Sequence, residues 1–168
     1  GIQELQRLLE GSDDPVQVEV GSNHIRIRGD DVCFTSKLVD GRFPDYERVV
    51  PKGGDKLVVA DRELLRRALS RTSILSNEKY RGIRLNLDKN NVKIQAHNPE
   101  QEQADEEFEV DYDGGKLEIG FNVTYLLDVL STVRSDKVEI TLSDSNSSCL
   151  IRQPGTEQYR YVVMPMRL

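Results

Sequence analysis

The sequence predicts an α+β protein assembled from repeated units, each a helix followed by short strands. The alternating stretch at 16–20, Val-Gln-Val-Glu-Val, returns at 138–142 as Val-Glu-Ile-Thr-Leu. At the same offset, the leucines at positions 5 and 8 return at positions 127 and 130. A third helix-then-strands unit begins at Asp61. Because repeats of this size usually bury their apolar faces against one another, the pattern predicts a modular chain.

The first unit contains one helix and three short strands. Ile2, Leu5, Leu8 and Leu9 recur at helical spacing, which predicts a helix over 1–10. Alternation predicts that the first strand, 16–20, is half-buried. Two further strands are predicted at 24–28 and 32–38. So short a segment buries little surface, and the sequence shows no second repeat that would pair with this unit and cover its apolar face.

A joint at residues 36–51 follows the first unit. Pro44 and Pro51 each remove a backbone donor and disfavour the helical conformation of the preceding residue, so regular structure should stop and restart here. Phe43, Tyr46 and Val49 are too apolar for a solvated linker. We interpret the joint as an interdomain crossing that also forms the wall of a groove. This interpretation divides the chain into domains at 1–50 and 51–168.

Beyond the joint, the sequence predicts two helices, at 61–73 and 122–134, and eight strands. The strands are predicted at 56–59, 82–87, 92–96, 108–112, 116–121, 138–142, 148–152 and 159–166. In the first of these helices, periodicity predicts a buried stripe. The stripe consists of Leu64, Leu65, Ala68, Leu69 and Thr72. The same periodicity turns four arginines outward: Arg62, Arg66, Arg67 and Arg71.

Composition favours a globular protein, with 37% hydrophobic and 31% charged residues, and no apolar run approaches membrane-spanning length. Cys33 and Cys149 are far apart in strand-like runs, and we expect both to be buried, reduced thiols. His24 and His97 stand beside turns, where surface positions are expected. No nucleophile, phosphate loop or metal-ligand spacing is visible, so the sequence predicts no catalytic residue, no cofactor and no metal.

The outward arginines form the one concentrated positive patch in a chain of net charge -6. Most such faces are merely solvated. However, a patch of this kind binds phosphates with a salt-dependent, sequence-independent energy. No aromatic residues interleave with the arginines, so a nucleic-acid ligand would be a duplex contacted along its backbone.

Two further segments can each be interpreted as purely structural or as a binding surface. The run at 98–114 carries many carboxylates and no Lys or Arg, and it is either a solvated acidic strand or a docking face for a basic partner. The last eight residues contain Met164 and Met166, the only methionines of the chain. They form either an edge strand packed on the core or one wall of an apolar groove, for which flexible methionine side chains are suited.

Five blocks of the sequence resemble the bacterial β sliding clamp, the processivity factor of DNA polymerase III. The blocks are residues 36–46, 74–80, 98–102, 119–123 and 161–168. The resemblance implies a DNA-clamp fold with antiparallel sheets outside and helices on the inner face of a ring-shaped homodimer. It covers the second half of the family's middle domain and its complete last domain. We therefore expect a truncated chain, an expectation that the uncapped start at Gly1 favours.

The resemblance also implies a groove between the middle and last domains that receives linear motifs of partner proteins. These partners are replicative and translesion DNA polymerases, the clamp loader, mismatch-repair proteins and ligase. The groove residues carried over are Pro44, Arg48, Val49, Tyr80, Asn122, Tyr125, Ser148, Val162, Val163, Met164, Pro165, Met166, Arg167 and Leu168. Tyr80 stands where many relatives have Phe, and Asn146 replaces a residue that is often small and apolar.

Two more surfaces follow from the resemblance. The duplex-facing residues are Arg62, Arg66, Arg67, Arg71 and Arg134, and the dimer-interface residues are Ile74, Leu75, Glu100, Glu102, Asp105 and Glu106. The resemblance implies loose contact with double-stranded DNA, a bacterial cytoplasmic location at the replisome and no membrane partner. Because the partner surface of the interface belongs to the family's first domain, this chain is not expected to close a ring. A peptide-binding scaffold that does not contact DNA remains the alternative.

Overall fold

The computed structural model describes residues 1–43 and 45–167. They form two compact units, one within residues 1–44 and the other within 45–168. Among the described residues, no helix is long and apolar enough to cross a membrane.

The first unit is a helix with a three-stranded antiparallel sheet. Its elements are α1 (Ile2–Leu8), β1 (Gln17–Val20), β2 (His24–Arg28) and β3 (Cys33–Lys37), and the sheet order is β1-β2-β3. Ile27 is the one buried hydrophobic residue in the described part of this unit. Val18 and Val20 are 55% and 69% exposed, and Cys33 is exposed as well. The predicted half-burial of β1 and the predicted burial of Cys33 are therefore wrong, because the few elements of this unit leave much of their apolar surface uncovered.

The second unit contains two helices and two four-stranded antiparallel sheets. Its elements are β4 (Lys56–Asp61), α2 (Arg62–Thr72), β5 (Gly82–Asp88), β6 (Asn91–His97), β7 (Gln103–Glu109), β8 (Leu117–Asn122), α3 (Val123–Thr132), β9 (Lys137–Leu142), β10 (Cys149–Arg152) and β11 (Arg160–Val163). Short 3-10 turns occupy Tyr46–Arg48 and Ser73–Leu75. The sheet orders are β7-β6-β5-β8 and β11-β10-β9-β4. The α+β prediction is confirmed.

The core of the second unit lies where the two helices meet the inner faces of the sheets. Alternation along β5 and β8 turns Ile83 and Phe121 inward until neither is exposed to solvent. Leu69 of α2 and Leu130 of α3 join them in one continuous cluster. Cys149 is buried there as predicted, and the desolvation of its thiol raises the pKa of that group to about 12.

The two halves of this unit close in the same way. After β7, Asp111 and β4 residue Val59 exchange two backbone hydrogen bonds, each 2.9 Å long. After β11, the N–H of Met166 donates to the carbonyl of β8 residue Gly120 at 2.9 Å. In both halves, the segment following a third strand therefore reaches the edge of the opposite sheet. The strand predicted at 159–166 is accordingly shorter, because β11 ends at Val163 and the chain crosses to β8.

Candidate functional site

The outward face of α2 carries arginines whose charge is partly neutralised. Asp61 caps the helix by accepting the Leu64 N–H at 2.7 Å. One turn into the helix, Glu63 pairs with Arg66 at 2.7 Å and with Arg67 at 2.8 Å. These two guanidinium groups lower the pKa of Glu63 from 4.5 to about 2, so the carboxylate stays charged through the neutral range. An anion bound at this face would compete with Glu63 for both arginines.

Arg71, in the last turn of α2, is bound to the acidic strand β7. Its Nε lies 2.5 Å from Glu106 Oε1 and its Nη2 lies 3.0 Å from Oε2, a bidentate ion pair. Arg71 lowers the pKa of Glu106. A residue predicted to face the duplex and one predicted to lie in the dimer interface are thus bonded to each other in this structure.

Arg62 is not turned outward, so the predicted orientation is wrong. Its guanidinium donates from Nε to Ser135 O at 3.0 Å and from Nη1 to Leu130 O at 3.2 Å. These contacts satisfy the carbonyl of Leu130, in the last turn of α3, and that of Ser135, just after the helix ends. Arg134 is exposed and lines a cavity of about 390 Å³ together with Tyr161. Leu64 is 42% exposed and lies outside the stripe, whereas the other four predicted stripe residues are buried.

Several residues of the predicted groove lie on segments that adjoin the end of β8 at Asn122. Asn122 caps α3 by accepting the Thr124 N–H at 2.9 Å, and its amide Nδ2 donates to Tyr80 O at 3.3 Å. The bond from Met166 to Gly120 brings the tail alongside Asn122. On these segments, the large side chains of Tyr80, Tyr125 and Met164 remain open to solvent, at 54%, 58% and 68% exposure. Large apolar side chains beside a fixed amide are suited to binding an extended peptide.

The remaining groove predictions fall in different settings. Val163 is 4% exposed and belongs to the core, whereas Val162, Ser148, Pro165 and Met166 are half-buried and Arg167 is exposed. Arg48 and Val49 are exposed near the start of the second unit, where Arg48 pairs with Asp45 at 3.0 Å. Pro44 and Leu168 lie outside the described residues.

The residues predicted to lie in the dimer interface do not form one continuous surface in this unit. Ile74 is 75% exposed and borders a cavity of about 440 Å³ with Glu100 and Glu102, while Leu75 is half-buried. Asp105 and Glu106 are consecutive in β7 and therefore point to opposite faces of the sheet. Asp105 accepts hydrogen bonds from Gln95 and Gln103 on the solvent face.

Two residues that position this surface, Asn77 and Arg81, were not predicted from the sequence. Asn77 Oδ1 accepts the backbone N–H of Tyr80 at 3.0 Å, and Arg81 has a positive φ of 50° while its carbonyl accepts the Val123 N–H at 2.9 Å. An Asn followed by polar residues is a turn signal that could have identified the first of these. No group of three or more His, Cys, Asp or Glu side chains within the described ranges could hold a metal ion.

Comparisons with known proteins agree on one family. The family model described as "DNA polymerase III beta subunit, C-terminal domain" matches residues 47–167, and the model of the central domain matches residues 1–45. Two proteins named Beta sliding clamp, from Pseudomonas putida and Escherichia coli K12, are 62% and 53% identical to this chain over 168 residues. The alignments cover 100% of this chain and 46% of each relative, so the chain spans about half the length of the curated relatives it matches.

A solved structure is similar over the same extent. The crystal structure of the DNA polymerase sliding clamp from Pseudomonas aeruginosa with ligand aligns with a TM-score of 0.84 and 61% identity, covering 100% of this chain and 46% of that one. The repeated antiparallel sheets, the paired helices and the family match lead to the same conclusion: the chain belongs to the DNA polymerase III β subunit family, the bacterial sliding clamps.

Proposed function

We propose that this chain acts as part of a sliding clamp, a non-catalytic processivity factor that tethers DNA polymerases to duplex DNA. Residues 1–50 would supply the second half of the middle clamp domain with its linker, and residues 51–168 the complete last domain. Family membership supports this function. The single observation that carries it is a set of three exposed side chains, Tyr80, Tyr125 and Met164, on the segments next to Asn122, whose amide is bonded to Tyr80 O. We call this set the cluster.

The cluster binds linear motifs of partner proteins. An extended peptide buries a Leu or Phe side chain against Tyr125 and Met164, while Asn122 fixes the peptide backbone by hydrogen bonding. The partners are replicative and translesion polymerases, the clamp loader, mismatch-repair proteins and ligase. They use one surface and therefore compete for it.

The complete clamp is a homodimeric ring that works in the bacterial cytoplasm, at the replisome. Helices α2 and α3 face the duplex, and Arg66, Arg67, Arg71 and Arg134 contact its backbone. Because Glu63 and Glu106 already pair with three of these arginines, contact with phosphate is weak and exchangeable, which suits a protein that must slide. Ile74 and the acidic residues beside it form this chain's side of the dimer interface.

A peptide titration tests the binding cluster. We expect Tyr125→Ala and Met164→Ala each to weaken binding of the clamp-binding peptide of a bacterial replicative polymerase about five- to thirtyfold, or ~1–2 kcal/mol. Tyr159→Ala is the matched control, since Tyr159 is 60% exposed, close to the 58% of Tyr125, and is not a groove residue. Fluorescence anisotropy with labelled peptide gives the dissociation constants. Equal binding by all four proteins would refute the cluster as the peptide site.

A second experiment separates a clamp from a peptide-binding scaffold that does not contact DNA. These 168 residues are joined to the preceding portion of the Pseudomonas putida relative and loaded onto nicked circular DNA with clamp loader and ATP. A ring is retained on the circle and lost when the circle is cut, because topology and not affinity holds it. A scaffold would bind the peptide and show no difference between circular and linear DNA.

A further inference from the structure

A polar cavity lies on the solvent face of the second unit, between β8 and the chain tail. Its volume is about 330 Å³, and its lining includes Arg84, Glu118, Gly120, Asn146, Met166 and Arg167. Arg84 and Gly120 are direct partners across β5 and β8. Because Gly120 has no side chain, the floor of the cavity is open beside the guanidinium. A second cavity of about 160 Å³ begins on the other side of Arg84, toward β6 and β7.

The charges of this cavity favour an anion. Arg84 and Arg167 supply two positive charges, and Glu118 supplies the single negative charge among its lining residues. Glu118 is 61% exposed, and its Oε1 lies 3.4 Å from Arg84 Nε. An exposed pair at this separation contributes little, so a carboxylate with better geometry can replace Glu118 as the partner of Arg84. Asn146, another lining residue, is exposed and offers an amide.

The cavity and the proposed peptide site are connected through the chain tail and β8. Met166 lines the cavity and anchors the tail to Gly120 through its backbone N–H. Asn122, which fixes Tyr80, lies two residues beyond Gly120 on the same face of β8. A peptide that occupies the cluster of Tyr80, Tyr125 and Met164 therefore has a flank close enough to enter the cavity.

We infer that the cavity beside Arg84 binds acidic residues flanking the clamp-binding motif of partner peptides, and that Arg84 is a specificity-determining residue. This inference rests on the proposed function. The apolar cluster would bind the shared core of the motif, and the cavity would rank partners by the charge of the flank. Arg84 would act by a bidentate contact with a carboxylate.

The test compares peptides that differ only in flanking charge. Each carries the core motif of the replicative polymerase, with two Glu residues either before or after it, and each has a counterpart with Gln at the same positions. We expect the 168-residue chain to bind one of the two Glu peptides about three- to tenfold more tightly than its Gln counterpart at low salt, and the preference to shrink at 0.5 M salt.

Two variants move this preference in opposite directions. Arg84→Gln should abolish it while leaving the Gln peptides unaffected, and Glu118→Gln should increase it because the competing carboxylate is removed. Lys93→Gln is the matched control. Lys93 lies on the same sheet face, its side chain is 37% exposed against 35% for Arg84, and it also forms a pair at 3.4 Å. We expect the control to keep the full preference.

The outcomes separate this inference from the proposed function. If the wild-type chain binds the Gln peptides but does not prefer either Glu peptide, or if Arg84→Gln keeps the preference, the cavity assignment is wrong and the peptide site stands. If no peptide binds to the wild-type chain, both proposals fail together. An equal loss of preference in Lys93→Gln would indicate a general effect of surface charge and would also overturn the assignment.

Discussion

The two units of this chain contain the same kinds of element but bury them to very different extents. In the first unit, β1 leaves Val18 and Val20 more than half exposed, and Ile27 is the buried hydrophobic residue among those described. In the second unit, the corresponding positions of β9, Val138, Ile140 and Leu142, are all buried. The sequence pattern is similar in both, so the pattern alone does not decide burial.

The second unit differs because it contains two copies of the repeat. Strands β4–β7 with α2 and strands β8–β11 with α3 cover each other. Each copy ends, through Asp111 or Met166, on its own first strand, and that strand is the edge of the sheet that the other copy's last three strands form. A single helix followed by three strands therefore cannot bury its apolar face by itself and needs a second copy to cover it.

The two cysteines report on the two units separately. At pH 8 we expect iodoacetamide to modify Cys33 in the folded chain about as fast as in urea, because Cys33 is exposed. Cys149 should react about 1,000-fold more slowly when folded than when unfolded, because burial raises the pKa of its thiol from 9.0 to about 12 and each pKa unit lowers the thiolate fraction about tenfold. Peptide mass mapping after timed quenching measures both rates in one sample. Rapid modification of Cys149 would show that the second unit opens as readily as the first.

Core truncation should cost far more in the second unit than in the first. We expect Phe121→Ala to lower the free energy of unfolding by about 3–5 kcal/mol, since the ring is completely buried and leaves a cavity. Val18→Ala should change it by less than ~0.5 kcal/mol, because the side chain is already 55% exposed. Urea denaturation followed by circular dichroism at 222 nm is suitable for a chain without Trp. Similar losses for both variants would mean that β1 is buried to the same extent as β8.

Local patterns allowed the elements and the stripe of α2 to be predicted, whereas burial required knowledge of what packs on each face. Leu65 and Leu69 follow helical periodicity and are buried as predicted. The burial expected for Cys33 and β1 failed because no local signal tells whether a second repeat covers a sheet. The contrast between the units is the clearest case of this limit.

In the candidate site, some contacts follow from local sequence spacing and others depend on the packing of distant elements. Glu63 lies three and four residues before Arg66 and Arg67, so their pairing could have been predicted from spacing alone. Arg71 and Glu106 are 35 residues apart, and only the packing of α2 on β7 brings them together. Arg62 was misjudged because its partners, Leu130 O and Ser135 O, are backbone groups at the end of another helix.

Helix capping provides a smaller test of the contrast. Asp61 caps α2 through the Leu64 N–H, whereas α1 begins at Gly1 without a side-chain cap. We expect Asp61→Ala to lower the free energy of unfolding by about 1 kcal/mol, and Asp61→Asn to retain most of that stability because Asn also accepts the bond. Urea denaturation at pH 7 measures both. A loss as large for Asn as for Ala would show that the carboxylate charge, and not the cap, stabilises the helix.

The smallest effect concerns Glu63 and its dependence on pH. The pKa of Glu63 is depressed from 4.5 to about 2 in the folded chain by Arg66 and Arg67. A carboxylate with a depressed pKa stabilises the folded state above its unfolded pKa, and this contribution is lost as the pH falls toward the folded value. Glu63→Gln should therefore be slightly less stable than wild type at pH 7, and the difference should disappear between pH 4.5 and 2. Urea titrations of both proteins at pH 7, 4.5, 3 and 2 measure it. A difference that persists at pH 2 would mean that Glu63 acts by packing and not by its charge, and the arginines of α2 would then be less neutralised than the geometry indicates.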